Sequence, residues 1–183
     1  MKYAWKIWFG LIGFFLSANV FCQSLSSQLT HIKKYKASID SLYRVYGNQG
    51  YRPDPKFKES VEEGEYVERG KDSIIGGFTI FAFSVADSVY KILFEARKRE
   101  THIAIGFYYK NGIPVYCDME VWNFKIHNNR SYTVQEYYWN NKRIAKSTKN
   151  AWPDRVADSL IPVSLFNDGV AYYNSYYKTF KKE

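Results

Sequence analysis

Apolar and polar residues alternate through Thr101–Glu120, and the alternation is broken at Lys110-Asn111-Gly112. A period of two is the mark of a half-buried strand, and Asn-Gly between β-branched and aromatic runs marks a tight hairpin. A two-residue loop at Asn111-Gly112 would put Ile103, Ile105 and Phe107 on one face with Tyr116, Asp118 and Glu120. That face would mix core residues with carboxylates. A one-residue slip exchanges the two faces of a strand. A three-residue loop with Gly112 left-handed therefore fits better, since it groups Ile103, Ile105 and Phe107 with Val115, Cys117, Met119 and Val121. The opposite face then carries His102, Tyr108, Tyr116, Asp118 and Glu120, with His102 across from Glu120.

The segment YTVQEYYWNNKRIAK repeats this plan 29 residues later. Tyr108-Tyr109 corresponds to Tyr137-Tyr138, and Asn111-Gly112 to Asn140-Asn141, Asn being the next most tolerant residue of a left-handed backbone. Phe107 and Cys117 become Glu136 and Lys146, so the second copy is less apolar and belongs nearer a sheet edge. These Tyr-Tyr-x-Asn-Gly hairpins resemble those of MORN-like repeat proteins. The resemblance implies a β-meander and carries over no functional residues, because the spacing is longer here and the regular glycine punctuation is missing.

Elsewhere the period changes. Leu25, Leu29, Ile32, Ile39, Leu42, Tyr43 and Tyr46 recur at steps of three and four, which predicts a helix over 24–46. Gly47 to Pro55 ends it. Lys56 to Gly70 carries Glu62, Glu63, Glu65 and Glu68 and fits a solvated loop or short edge strand. Gly76 to Ala96 divides into two strands around Ala86-Asp87-Ser88. Pro162 suits the first turn of a last helix, with a stripe of Val163, Phe166, Val170, Tyr173, Tyr177 and Phe180. Gly169 should weaken that helix by ~1 kcal/mol relative to Ala. The expected fold class is α+β: an N-terminal helix, an antiparallel β-meander of four to six strands and a C-terminal helix, with both helices packed on one sheet face.

The chain has 183 residues, enough for one domain. Residues 1–22 have the layout of a secretory signal peptide: Lys2 and Lys6, an apolar run from Ile7 to Leu16, then Val20 and Cys22 before Gln23. The run is shorter than a membrane span requires, and Phe21 and Asn19 fit a lipoprotein signal poorly. The expected organisation is a signal peptide at 1–22 and a single globular domain at 23–183. The product would be exported, periplasmic or extracellular, with no membrane span after cleavage. Cleavage would leave Cys117 alone, a small core residue rather than a nucleophile. It would also remove Lys2 and Lys6 and reduce the net charge from +8 to +6. Arg97-Lys98-Arg99 is the one tight basic cluster and suits a solvated turn. Nucleic acid is not an expected partner.

The chemistry on offer is sparse. No Gly-rich phosphate loop follows a strand and no Gly-x-Ser-x-Gly elbow is present. The three His are isolated in sequence, so neither a metal nor a cofactor is expected. His102 with Asp118 and Glu120 is the only acid–base grouping, and a cross-strand His–carboxylate pair is ordinarily a surface pair. Asn129-Arg130-Ser131 is a formal glycosylation sequon. The unusual feature is aromatic content, with 17 Tyr, 13 Phe and 5 Trp. Tyr108, Tyr116, Tyr137 and Trp139 would give an aromatic outer face able to stack on sugar rings or dock a protein. The expectation is an exported, non-catalytic domain binding a protein or glycan through that face. The rivals are a secreted hydrolase using Glu120 or Asp118 with His102, and a structural component of a cell-envelope assembly.

Overall fold

The structure, a computed structural model, describes residues 4–46, 57–70, 72–123, 131–150 and 161–180, without the side chains of residues 4–23, 46, 177, 179 and 180. His127, the sequon at Asn129 and Trp152-Pro153 lie outside these residues, as does the turn expected at 47–55. The chain is α+β. Helix α1 (Ala4–Tyr46) precedes strands β1 (Phe57–Val67), β2 (Ile74–Val85), β3 (Ser88–Lys98), β4 (Thr101–Lys110), β5 (Ile113–Asn123), β6 (Tyr132–Trp139) and β7 (Lys142–Lys149), and helix α2 (Leu165–Phe180) follows. The strands form one antiparallel meander in chain order, seven rather than four to six. The added strand is β1, where the acidic run forms a full-length sheet edge. Charged edge strands resist pairing with other chains. Among the described residues no helix is long and apolar enough to cross a membrane.

The hairpin at Asn111-Gly112 keeps the expected faces but reaches them by another route. Its loop has two residues, not three. Asn111 and Gly112 have φ of 54° and 78°, the left-handed pair that closes a twisted hairpin, and Lys110 pairs with Ile113. The register then slips because Val115 is bulged out between the pairs Tyr109–Pro114 and Tyr108–Tyr116. Ile103, Ile105 and Phe107 meet Val121, Met119 and Cys117 directly. A bulge and a longer loop both correct the faces but move the register in opposite senses. His102 therefore faces Trp122, and Glu120 faces Ala104.

The repeat is real and has a third member. Around Asn140-Asn141, Trp139 pairs with Lys142, Tyr138 with Arg143 and Tyr137 with Ala145, with Ile144 bulged. Around Ala86-Asp87, Val85 pairs with Ser88, Ser84 with Val89 and Phe83 with Lys91, with Tyr90 bulged. Phe83, Tyr108 and Tyr137 are thus equivalent, as are Ser84, Tyr109 and Tyr138.

The two members of each dipeptide point to opposite faces, and each face carries a helix. Phe83 meets Tyr43 of α1 edge-on, Tyr108 donates to Asp40 of α1 and the Tyr137 ring lies beneath Lys33 of α1. On the other face Ser84 shares a hydrogen bond with Tyr176 of α2, Tyr109 donates to the Gly169 carbonyl of α2 and Tyr138 packs on Phe166 of α2. The helices therefore lie on opposite faces, correcting the one-face arrangement. An outer surface of tyrosines reads as half-polar. It is nevertheless sealed by a helix whose Ile32 and Ile39 are buried and whose lysines extend over the rings.

Helix α2 begins later than Pro162. Ser164 caps it, its Oγ accepting from the Asn167 N–H at 3.3 Å. Val163 is left outside the helix and fully exposed. The buried stripe is accordingly Leu165, Phe166, Tyr172, Tyr173 and Tyr176. Gly169 sits directly against the sheet: a Cβ there would lie 2.8 Å from Phe107 and 3.1 Å from Pro114. Gly169→Ala should gain helix propensity and still lose about 1–2 kcal/mol net, because overpacking outweighs propensity. Chemical denaturation measures this directly.

Candidate functional site

The tyrosines expected to form a binding face are buried under α1. Tyr108, Tyr116 and Tyr137 are 3%, 1% and 9% exposed. Tyr116 packs edge-on to Tyr108 and Tyr137, with ring centroids 5.3 and 5.0 Å apart. Trp139 is half-buried and edge-on to His31 of α1. The hydroxyls meet a polar cluster instead of solvent. Asp40 Oδ1 accepts from Tyr108 Oη at 2.7 Å and from Lys91 Nζ at 3.2 Å, while Oδ2 takes Lys36 Nζ at 2.6 Å. Lys36 and Lys91 also lie over the Tyr108 ring, both 4.9 Å from its centroid. Burial alone would raise the Asp40 carboxyl, but hydrogen bonds from Lys36 and Tyr108 and the charge of Lys91 hold it below its ordinary value.

Asp118 lies on the same face in a slot opened by Gly106, where a Cβ would come within 2.3 Å of its Oδ1. Tyr116 Oη donates to its Oδ2 at 3.4 Å. Burial raises its pKa; Lys36 and Lys91 oppose this, and Asp40 adds to it. The two aspartates have opposite signs in acid. Asp40, depressed in the folded state, contributes stability above its unfolded pKa that is lost as pH falls through the folded value. Asp118, raised in the folded state, is a cost at neutral pH that acid relieves. Asp118→Asn should therefore raise Tm at neutral pH, and its advantage should vanish as pH falls until wild-type Asp118 is itself protonated. Melting curves across the acid range read the difference.

His102, Asp118 and Glu120 share a face but do not converge. Successive same-face residues of a strand are about 6.6 Å apart, which separates the cross-strand rows of His102 and Asp118 by about 13 Å. His102 packs edge-on to Trp122 with centroids 4.1 Å apart, and burial lowers its pKa, with Glu95 and Glu120 pulling the other way. Glu120 accepts from Ser131 Oγ. Cys117 is fully buried, directs its Sγ toward the Leu165 carbonyl and has its thiol pKa pushed well up by burial. Arg99 of the basic cluster pairs with Glu68 at 3.0 Å, and Lys98 stands over the Tyr66 ring. Among the described residues no group of His, Cys, Asp and Glu could hold a metal ion.

Among the described residues, two concavities lie on the other face, beside α2. One, of about 370 Å³, contains Glu136, Arg143 and Lys146. Its charges answer one another: Glu136 Oε1 pairs with Arg143 at 2.9 Å and Lys146 at 3.2 Å, and Tyr138 donates to the same carboxylate. The larger, about 490 Å³, has a wall of Tyr66, Phe78, Phe94 and Tyr172 over Ile80 and Ile105, with Glu62 and Asp168 beside it. Its rings form a ladder with centroids 5.7 Å (Tyr66–Phe78), 6.2 Å (Phe78–Phe94) and 5.6 Å (Phe94–Tyr172) apart. Burial, with Tyr66, Asp168 and Glu62 nearby, pushes the Tyr172 hydroxyl up to about 12. No sequence motif marks this groove. Its residues come from β1, β2, β3, β4, the segment Ile161-Pro162-Val163 and α2, and only the observed register and the start of α2 bring them together.

Comparison with known protein families, with curated proteins and with solved structures gives no match to this chain.

Proposed function

We propose that the chain is an exported, non-catalytic binding module and that its ligand lies in the aromatic groove beside α2. The observation that carries the reading is the groove itself: a four-ring wall that reaches the acidic edge of the sheet at Tyr66, in a domain whose other tyrosine face is sealed by α1. Clefts of several hundred Å³ with apolar walls and a few polar groups are the usual form of a ligand site. Export is supported by the charged start, the apolar run and the small or neutral residues that lead to Cys22 in residues 1–22. The scattered placement of His102, Asp118 and Glu120 favours binding over hydrolysis.

Two measurements test this reading. N-terminal sequencing of the protein recovered outside the cytoplasm should begin at Gln23; recovery only from the cytoplasm with residues 1–22 intact removes the export half. Glycan and peptide arrays should identify a ligand whose binding falls about tenfold in Tyr66→Ser, since an anchoring ring is worth at least ~1 kcal/mol. A ligand bound equally well by that variant would place the binding surface elsewhere.

A further inference from the structure

We infer that the α2 groove receives an alkylammonium group, a cationic nitrogen carrying apolar substituents; this rests on the groove being the ligand surface. Ring faces are negative and attract cations within about 6 Å of their centroids. Four aromatic side chains, Tyr66, Phe78, Phe94 and Tyr172, line one space. The chain already uses one of them, since Lys98 Nζ stands 5.3 Å from the Tyr66 centroid.

The charge of the groove is one-sided. Glu62 and Asp168 line it, and no basic residue does among the described residues. One carboxylate oxygen of Asp168 is buried and has no hydrogen-bond partner among the described residues. A buried carboxylate oxygen left unanswered is costly, and a cation held in the groove beside Asp168 would lower that cost electrostatically. The neighbouring pocket makes the contrast, because its Glu136 is already paired with Arg143 and Lys146. The apolar floor of Ile80 and Ile105 selects among cations. It suits an ammonium shielded by methyl or alkyl groups and disfavours a strongly hydrated inorganic ion.

The test titrates the purified chain with three probes and follows backbone amide shifts of β1, β2 and the first two turns of α2. The probes are tetramethylammonium, tert-butanol as its uncharged counterpart in shape, and methyl glucoside as a sugar. The expected result is saturable movement of Tyr66, Phe78, Asp168 and Tyr172 with tetramethylammonium, and binding of tert-butanol about tenfold weaker or less, the scale of a desolvated cation–π contact. Glu62→Gln and Asp168→Asn, each first shown to melt like wild type, should each weaken tetramethylammonium by several-fold. Equal binding of tert-butanol, unchanged binding by both variants, or no saturable movement with tetramethylammonium overturns the inference. If methyl glucoside moves the groove while tetramethylammonium does not, the groove remains the ligand surface and only its cation preference fails. If a ligand found on the arrays moves only residues outside the groove, the underlying reading fails as well.

Discussion

Tyr116→Ala should cost about 3–5 kcal/mol of folding stability, the range for deleting a large, fully buried aromatic side chain. Tyr116 is 1% exposed and central to the seam between α1 and the sheet. Its ring touches Tyr108 and Tyr137 on either side, and Lys36 lies 5.3 Å above its centroid. Truncation removes the floor on which Ile32 and Ile39 pack and leaves a cavity that α1 cannot fill without moving. A domain of this size has about 5–15 kcal/mol in total, so one substitution would consume a large share. On an open surface the same change would fall within about 0.5 kcal/mol. Urea denaturation followed by tyrosine fluorescence separates the two. A loss below 1 kcal/mol would mean that α1 does not cover this ring.

Tyr109→Ala should have a comparable effect, again about 3–5 kcal/mol, through the opposite face. The ring is fully buried against Tyr173 of α2, and its hydroxyl donates to the Gly169 carbonyl at 2.8 Å. The backbone carbonyl of the same residue accepts from Tyr35 of α1. One residue thus ties both helices to the sheet, one through its side chain and the other through its main chain. Tyr109→Phe keeps the ring and removes only the hydroxyl. It should cost about 0.5–1.5 kcal/mol for the lost hydrogen bond, the Gly169 carbonyl keeping its partner within the helix, while the bond from Tyr35 survives. Hydrogen exchange then gives a signature: in Tyr109→Phe protection should weaken in 165–176 more than in 29–43. Equal loss in both helices would contradict the division of roles.

Much of this arrangement is legible in the sequence because faces follow from period. The alternation in 101–120 places Ile103, Ile105, Phe107, Cys117 and Met119 in one core, and they are there. The register is less legible, because a bulge at Val115 and a longer loop satisfy the same hydrophobic pattern. That ambiguity shifts the partner of His102 by two residues, from Glu120 to Trp122. The first hairpin hides its membership of the repeat because Ala86-Asp87 replaces Asn-Gly and Phe83-Ser84 replaces Tyr-Tyr. Ala86 nevertheless adopts the left-handed φ of 52°.

The covered face was harder to foresee. Tyr108, Tyr116 and Tyr137 alternate with core residues and so read as an outer surface. Their partners on α1 include Lys33 and Lys36, which a helical wheel assigns to solvent. Long amines lying across phenol rings let an apparently polar helix side seal an apparently polar sheet side. The aromatic groove was invisible for a different reason. Tyr66 and Tyr172 are far apart in sequence, and Glu62 belonged to a stretch whose charge concealed its strand period.

The central claim is that each Tyr-Tyr dipeptide directs one ring to α1 and the next to α2. A nuclear Overhauser spectrum of the full chain tests it most directly. It should link the methyl groups of Ile32 and Ile39 to the rings of Tyr108 and Tyr116, and the ring of Phe166 to Tyr138. Cross-peaks joining residues of both helices to the same tyrosine ring, or none between α1 and Tyr108 or Tyr116, would contradict it.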